Sequence, residues 1–240
     1  METQKQAPTA ITLAIESGIG SGSLAILEAD RLLGHLDEAE APARAEKLLT
    51  EIDKLVSGCL DDISKINRIA VSTGPGSFTG LRIGIAAALG LSRSLAVELV
   101  GVPLLEAIAA NTNIDGKILI ALPIGKNDLS FAIYEKTGSN LEFKNEPMAV
   151  RIGNFINNLE EFGAEFILLP QSLYKRFSDD FELMQGEAGF SNQGEAGFSN
   201  KVQFRNIGSN LASIVGIHSR LVPPSPRSLE PLYLSRNSSL

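Results

Sequence analysis

The sequence predicts an α/β protein with two lobes. Short apolar runs typical of strands alternate with amphipathic segments of helical spacing, and this order occurs twice along the chain. The chain has 240 residues, which is enough for two packed lobes, and its 44% hydrophobic and 20% charged residues are typical of a globular protein. We expect an N-terminal α/β lobe at residues 1–109, a C-terminal α/β lobe at 110–220 and an extended tail at 221–240.

The first lobe is expected to begin with a β-hairpin. Two apolar runs flank a turn rich in glycine and serine at residues 17–22, which is typical of a hairpin. After Pro42 the apolar residues recur at helical spacing, and proline suits the first turn of a helix. The strands of this lobe are expected at residues 11–16, 23–27, 31–36 and 66–71. The helices are expected at residues 42–60 and 80–97.

The second lobe is expected to repeat this order of strands and helices. A polar turn at residues 125–128 separates two apolar runs and predicts a second hairpin. The strands are expected at residues 117–124, 129–134, 141–148 and 166–169. A short helix at residues 104–111 is expected at the boundary between the lobes, and the helices of the second lobe are expected at residues 152–162, 173–184 and 211–218.

An octapeptide at residues 185–192 is repeated without change at 193–200. Its glycine, serine, asparagine and glutamine content predicts a flexible surface loop, inserted into the C-terminal lobe. A replication slip in a tolerant loop explains the repeat, and a specific binding element is the alternative. The proline-rich residues 222–227 predict an extended segment, after which residues 229–234 are expected to dock back on the protein.

A glycine-rich motif lies between a predicted strand and a predicted helix. This layout aims backbone N–H groups and a helix N-terminus at an anion, and Ser77 or Thr79 could cap the helix. The spacing matches neither the P-loop nor the dinucleotide fingerprint, so a ligand-binding loop and a purely structural turn both stay open. The motif residues are Gly74, Pro75, Gly76, Ser77, Phe78, Thr79, Gly80 and Arg82.

The motif TGPGSFTGLRIG resembles the signature of the TsaB (YeaZ) family, which acts in bacterial synthesis of tRNA threonylcarbamoyladenosine. The resemblance is strong over residues 70–106. Weaker matches follow in the family's order at residues 12–17, 45–52, 101–104 and 231–236. Two of them depart from the family pattern. An Asp is usual in the family where this chain has Glu16, and this chain has an additional Ser before Arg236 in the tail. The resemblance implies the ASKHA (actin/hexokinase/Hsp70-like) fold.

The resemblance also implies a role. Members of the family are non-catalytic subunits that bind and support the TsaD transferase, help to recruit the ATPase TsaE, and form homodimers when alone. It implies no cofactor for this chain by itself, ATP or ADP at the interface of the complex, and contact with tRNA only through the complex. A functional alternative is an active ATP-dependent phosphotransferase or hydrolase of the same fold. A third is a stand-alone homodimer of unknown purpose.

Charge and composition agree with a scaffold. The net charge is −7 and the isoelectric point is near 5.0, which disfavours tRNA binding by the chain alone, because phosphate contacts need Lys and Arg. The N-terminus is polar and no apolar stretch is long enough for a bilayer, so we expect a cytoplasmic protein without membrane contact. With His35, His218 and Cys59 far apart in sequence, we expect no metal site. The His-x-x-x-His motif through which the related TsaD transferase holds its metal is missing from the sequence.

The candidate site residues belong to a possible nucleotide site and to a possible interface with another subunit. Glu16 ends the first strand and is the candidate acid of a vestigial nucleotide site, with a solvated strand end as the alternative. Arg82 lies near a helix N-terminus, where a cation is unfavourable unless an acid or a phosphate faces it, so we expect an internal carboxylate partner, with ligand binding as the alternative. The helix at 80–97 is apolar nearly all round, which favours a partner subunit or burial between the sheet and the other lobe. The expected interface residues are Leu81, Gly84, Ala87, Ala88 and Leu91.

Overall fold

The computed structural model of the protein describes residues 10–37, 45–184, 202–224 and 229–231. The expected helix start at Pro42, the octapeptide repeat at 185–200 and most of the tail lie outside the described residues. Leu229 is within them and packs against a cluster of buried apolar side chains that includes Leu13 and Ile15, which we call the first core. This contact is as expected for a tail that docks back on the protein. None of the described helices combines the length and the apolar character that a membrane span needs.

The first sheet has five strands in the order β3-β2-β1-β4-β5. β1 pairs antiparallel with β2, as the predicted hairpin requires, and parallel with β4, which in turn pairs parallel with β5. Two helices, α1 and α2, lie on one face of this sheet. The strands are β1 (Ile11–Glu16), β2 (Ser23–Glu28), β3 (Arg31–Leu36), β4 (Arg68–Gly74) and β5 (Glu98–Pro103), and the helices are α1 (Ala45–Cys59) and α2 (Phe78–Leu95).

The second sheet has the order β11-β10-β6-β7-β8, with β9 paired to β7. β6 and β7 form the second predicted hairpin. The strands are β6 (Gly116–Pro123), β7 (Asp128–Thr137), β8 (Asn140–Phe143), β9 (Met148–Arg151), β10 (Phe166–Leu169) and β11 (Gln203–Asn206). The helices of this half are α3 (Leu104–Asn111), α4 (Ile152–Asn157), α5 (Gln171–Met184) and α6 (Leu211–His218).

Alternate residues of the strands enter different cores. On β1, Leu13 and Ile15 pack with α1 and α2, whereas Ala14 faces the opposite side. That opposite side forms one core with α3, α6 and the inner face of the second sheet, including Ile118 and Ile120. The two sheets are therefore joined through a shared apolar layer built on α3 and α6, because each sheet buries its period-two stripe against the same pair of helices.

Four expectations on secondary structure were wrong. The strand expected at 141–148 is two strands, β8 and β9, because Lys144 and Asn145 leave the sheet edge and bond to the backbone of Ile133 instead. The helix expected at 152–162 ends at Asn157. Two strands, β5 and β11, were missed. β5 begins only three residues after α2, since Ala96 ends that helix in the left-handed conformation (φ 55°), and residues 98–103 were assigned to no element.

Lys136 caps the C-terminus of α3. Its side chain is buried, and its ammonium donates to the carbonyl oxygens of Ala109 (3.3 Å), Ala110 (2.7 Å) and Thr112. The last carbonyl groups of a helix have no partners within the helix, and they carry its negative dipole end. The burial of Lys136 lowers its pKa, while Asp115 raises it. The ammonium thus ties β7 to the helix that joins the two sheets.

Lys136→Met should lower the free energy of unfolding by about 1–3 kcal/mol, because buried carbonyl oxygens lose their donor. Lys144→Met is the matched control, since Lys144 makes only an exposed ion pair with Glu142 (2.9 Å), and such pairs contribute about 0–1 kcal/mol. Urea unfolding of both variants measures the difference. Equal losses in the two variants would show that the Lys136 cap is not a specific stabilising contact.

Candidate functional site

Glu16 ends β1 with a buried carboxylate. The residue is 2% exposed, so the alternative of a solvated strand end is wrong. Its Oε1 accepts hydrogen bonds from the backbone N–H groups of Gly18 (2.6 Å) and Ile19 (3.1 Å). A buried carboxylate needs such donors, since an uncompensated charge in an apolar interior is very costly. The carboxylate therefore occupies the place where a bound anion would meet the N–H groups of this turn.

The turn after Glu16 contacts the glycine motif directly. The N–H of Ser77 donates to the carbonyl oxygen of Gly18 at 2.7 Å, and the Ser17 hydroxyl donates to the carbonyl oxygen of Gly80 at 2.9 Å. A Cβ at Gly80 would overlap the Ser17 carbonyl oxygen, and one at Gly84 would overlap the Ser17 hydroxyl. Only glycine at these two positions lets α2 lie this close to the turn. We call these contacts the turn–helix junction.

Several N–H groups of the glycine motif donate hydrogen bonds to acceptors within the chain. Gly74 donates to the Ser72 hydroxyl at 3.3 Å, and Gly80 donates to the Ser77 hydroxyl at 3.4 Å. Ser77 is thus the N-cap of α2, one of the two cap residues expected from the sequence. Together with the bonds of Gly18, Ile19 and Ser77, these contacts favour a structural turn over an anion-binding loop.

Arg82 and Phe78 form an exposed pair at the start of α2. The guanidinium carbon of Arg82 lies 3.7 Å from the centroid of the Phe78 ring, and Phe78 is 49% exposed. A guanidinium over an aromatic face is a favourable cation–π geometry. The pair covers part of the outer face of α2. An internal carboxylate partner for Arg82 stays a prediction.

The expected interface residues do not share one face. Leu81, Gly84 and Ala88 are buried inside the chain, so their assignment to a partner surface is corrected: they pack against β1, the turn and the first core. Ala87 and Leu91 are half-buried at the edge of that core. The residues of α2 that do face outward are Phe78, Thr79, Arg82, Ala86, Gly90, Arg93 and Ser94.

The two histidines lie in different settings. His35 is on the edge strand β3, 3.4 Å from Asp37, and His218 is buried at the end of α6, 3.8 Å from Glu106. Within the described part of the chain, no three His, Cys, Asp or Glu side chains are grouped so that they could hold a metal ion. Ser17 is the residue of the junction that sequence reasoning missed. Its signal is the pair of glycines four residues apart at Gly80 and Gly84, which marks a close approach to one helix face.

Comparisons with known proteins agree with this geometry. The model of the family described as TsaD, tRNA N6-adenosine threonylcarbamoyltransferase, matches residues 38–174. The tRNA threonylcarbamoyladenosine biosynthesis protein TsaB of Bacillus subtilis is 25% identical over 184 residues, which is 75% of this chain and 80% of the relative. The protein of the same name from Escherichia coli is 26% identical over 141 residues, 58% of this chain and 61% of the relative.

A solved structure supports the fold. It is described as an uncharacterized protein with similarity to peptidase YeaZ from Pseudomonas aeruginosa, and it is similar to this chain with a TM-score of 0.60 at 18% identity. The match covers 94% of this chain and 100% of that structure. At this identity the likeness concerns the fold alone.

Gly84→Ala should lower the free energy of unfolding by about 1–3 kcal/mol, because the new methyl group overlaps Ser17 across the turn–helix junction. Gly90→Ala on the same helix should raise it by about 0.5–1 kcal/mol, since no atom lies within 4 Å of the added Cβ and alanine favours a helix. Thermal and urea unfolding measure both. A Gly84→Ala variant as stable as Gly90→Ala would contradict the close contact.

Proposed function

The chain belongs to the TsaB (YeaZ) family, within the broader TsaD family whose model matches more than half of it, and we propose that it is a non-catalytic subunit in tRNA threonylcarbamoyladenosine synthesis. In this proposal the protein has the two-lobed ASKHA fold and binds a TsaD-like transferase. The transferase supplies the reaction centre, and this chain keeps it competent. A TsaE-like ATPase joins the complex, and the chain forms a homodimer when alone.

The observation that carries the proposal is the buried carboxylate of Glu16. A phosphate site at a strand end needs backbone N–H groups that point at the ligand. Here the N–H groups of Gly18 and Ile19 already bond to Glu16, and that of Ser77 bonds to Gly18. A phosphate would have to displace the buried Glu16 side chain from these N–H groups. This favours a scaffold over a phosphotransferase of the same fold.

The small number of histidines also favours a non-catalytic subunit. The related transferase, by resemblance, holds its metal through a His-x-x-x-His motif, whereas this chain has only His35 and His218. These two lie on β3 and at the end of α6. In the proposal this chain has no cofactor of its own, and ATP or ADP binds only at the interface of the complex. The net charge of −7 fits contact with tRNA through the complex rather than directly.

The outer surface of α1 and α2 is the proposed contact with the transferase. The two helices pack side by side, and each exposes one large apolar side chain: Leu49 on α1 is 55% exposed and Phe78 on α2 is 49% exposed. Beside them the small residues Ala86 and Gly90 leave the helix surface flat. A flat helix surface with apolar anchors suits close packing against a partner helix.

Ala87→Phe should weaken association with the transferase by about ten- to a hundredfold, because overpacking a tight contact costs about 1–3 kcal/mol and each 1.4 kcal/mol is tenfold. Ala87 is half-buried at the margin of the outer face, so its melting curve should stay close to that of the wild type. Ala88 is 0% exposed, so Ala88→Phe should destabilise the fold itself. Binding is measured by calorimetry with the purified transferase.

Glu142→Phe is the control for a new surface phenylalanine, because Glu142 lies on β8, away from α1 and α2. It should bind the transferase as the wild type does. If Ala87→Phe folds and binds with unchanged affinity, the contact does not lie on this surface. If it also unfolds the chain, the margin of α2 is part of the core and the same conclusion follows.

A further inference from the structure

A cavity lies apart from the turn–helix junction. It has a volume of about 280 Å³ and is lined by Glu106 of α3, Tyr134 of β7, and Leu141 and Phe143 of β8. None of these residues belongs to the glycine motif or to the outer face of α2. We call it the β7–β8 pocket.

Two aromatic rings and one aliphatic side chain form its walls. Tyr134 and Phe143 are direct partners in the antiparallel register of β7 and β8, and their ring centroids are 5.4 Å apart at an interplanar angle of 56°. Leu141 lies on the same side of β8, two residues earlier, and packs against the central core. Phe143 is 45% exposed, so one ring of the pair remains open to solvent at the mouth.

The polar end of the pocket is acidic. The side chain of Glu106 is 54% exposed, and its Oε1 lies 3.8 Å from Nε2 of His218. The neighbouring imidazole lowers the pKa of Glu106, so the carboxylate stays ionised at neutral pH. Burial, followed by the charges of Glu106 and Glu146, raises the pKa of Tyr134, so the phenol stays neutral while it lies in the field of two carboxylates.

Tyr134 adds a polar group to this site. The residue is only 3% exposed, and its side chain lines the cavity. A neutral phenol can accept a hydrogen bond from a cationic donor.

The nearest buried cation does not fill the pocket. Lys136 lies two residues after Tyr134 on β7, on the same side of the strand, but its ammonium is held by the carbonyl oxygens of Ala109, Ala110 and Thr112. Lys136 therefore does not pair with Glu106. His218 faces Glu106 from α6 and is its neighbour within the chain, while more than half of the Glu106 side chain stays open to a group from outside.

We propose that the β7–β8 pocket binds an organic cation, an alkylammonium or guanidinium group whose aliphatic stem lies against Leu141. The charge of the ligand pairs with the Glu106 carboxylate. The rings of Tyr134 and Phe143 attract it through their faces. An anion would meet the carboxylate of Glu106, and a purely apolar ligand would make no use of its charge.

The test uses defined probes with the full-length protein. Titration with n-butylammonium chloride, followed by ¹H–¹⁵N NMR, should shift the signals of Glu106, Tyr134 and Phe143 in a saturable way, whereas sodium butyrate should not. Glu106→Gln keeps the shape of the side chain but removes its charge, and it should raise the dissociation constant at least about tenfold, equivalent to 1.4 kcal/mol. Tyr134→Phe removes only the hydroxyl and should weaken binding to a smaller extent.

Glu142→Gln is the matched control. It removes a carboxylate from β8, the strand that carries Leu141 and Phe143, but Glu142 alternates with these two residues and pairs with Lys144 on the other side. Binding by this variant should equal that of the wild type. Equal binding of butyrate and butylammonium, unchanged binding by Glu106→Gln and Tyr134→Phe, or an equal loss in Glu142→Gln would each overturn the proposal.

Two further probes distinguish the source of the cation. A blocked tripeptide, acetyl-Gly-Lys-Gly-amide, presents the ammonium on a protein side chain, and spermidine presents it on a free amine. Tighter binding of the peptide than of n-butylammonium identifies a basic side chain of a protein. Exclusion of the peptide with tight binding of spermidine identifies a free amine. Failure of this site leaves the proposed scaffold role untouched, because the two rest on different residues.

Discussion

The buried carboxylate of Glu16 is the constraint on which the site depends. A buried polar group needs hydrogen-bond partners, and the Glu16 side chain has them in the N–H groups of Gly18 and Ile19. This fixes the turn after β1. The fixed turn presents the Gly18 carbonyl oxygen to Ser77 and the Ser17 hydroxyl to Gly80, so the start of α2 is held against it.

The position of α2 then decides which of its side chains meet solvent. With Gly80 and Gly84 against the turn, Leu81 and Ala88 point into the first core, and Phe78, Arg82, Ala86 and Gly90 point outward. The same contacts that engage the N–H groups of Gly18, Ile19 and Ser77 thus position the outer surface of α2. A loop of a kind that could bind an anion instead positions the helix surface that we propose as the contact with the transferase.

The central layer gives this surface a rigid support. α3 and α6 bury residues from both sheets in one core, and Lys136 ties the end of α3 to β7. Apolar residues of both sheets therefore pack in the same core. The β7–β8 pocket opens on the rim of that layer, where Glu106 of α3 faces the outer strands.

Local patterns predicted much of the fold. Both hairpins, the strand before the glycine motif, and helices α2, α3 and α6 follow from apolar periodicity and turn residues. β5 and β11 were missed because they are short parallel strands whose partners are distant in sequence, and β5 follows a helix with almost no break. Apolar periodicity predicts that a helix or strand is present more reliably than it predicts the residue at which that element ends.

The site was predicted less completely. The motif residues and the Ser77 cap were found, but Leu81, Gly84 and Ala88 were placed on the wrong face. An all-round apolar helix has no polar stripe, so its sequence cannot tell which side meets the sheet. The role of Ser17 depends on a contact with a residue 63 positions away, which no local pattern records. The β7–β8 pocket likewise joins residues from three separate elements.

The most direct measurement is the activity of the purified chain with and without its transferase. The chain is incubated with threonylcarbamoyl-adenylate and tRNA, and separately with ATP, and modified nucleoside and released phosphate are measured. We expect neither product from the chain alone, and modified tRNA once the TsaD-like transferase of the same organism is added. Modification or sustained ATP hydrolysis by the chain alone would contradict a non-catalytic role and favour a phosphotransferase or hydrolase.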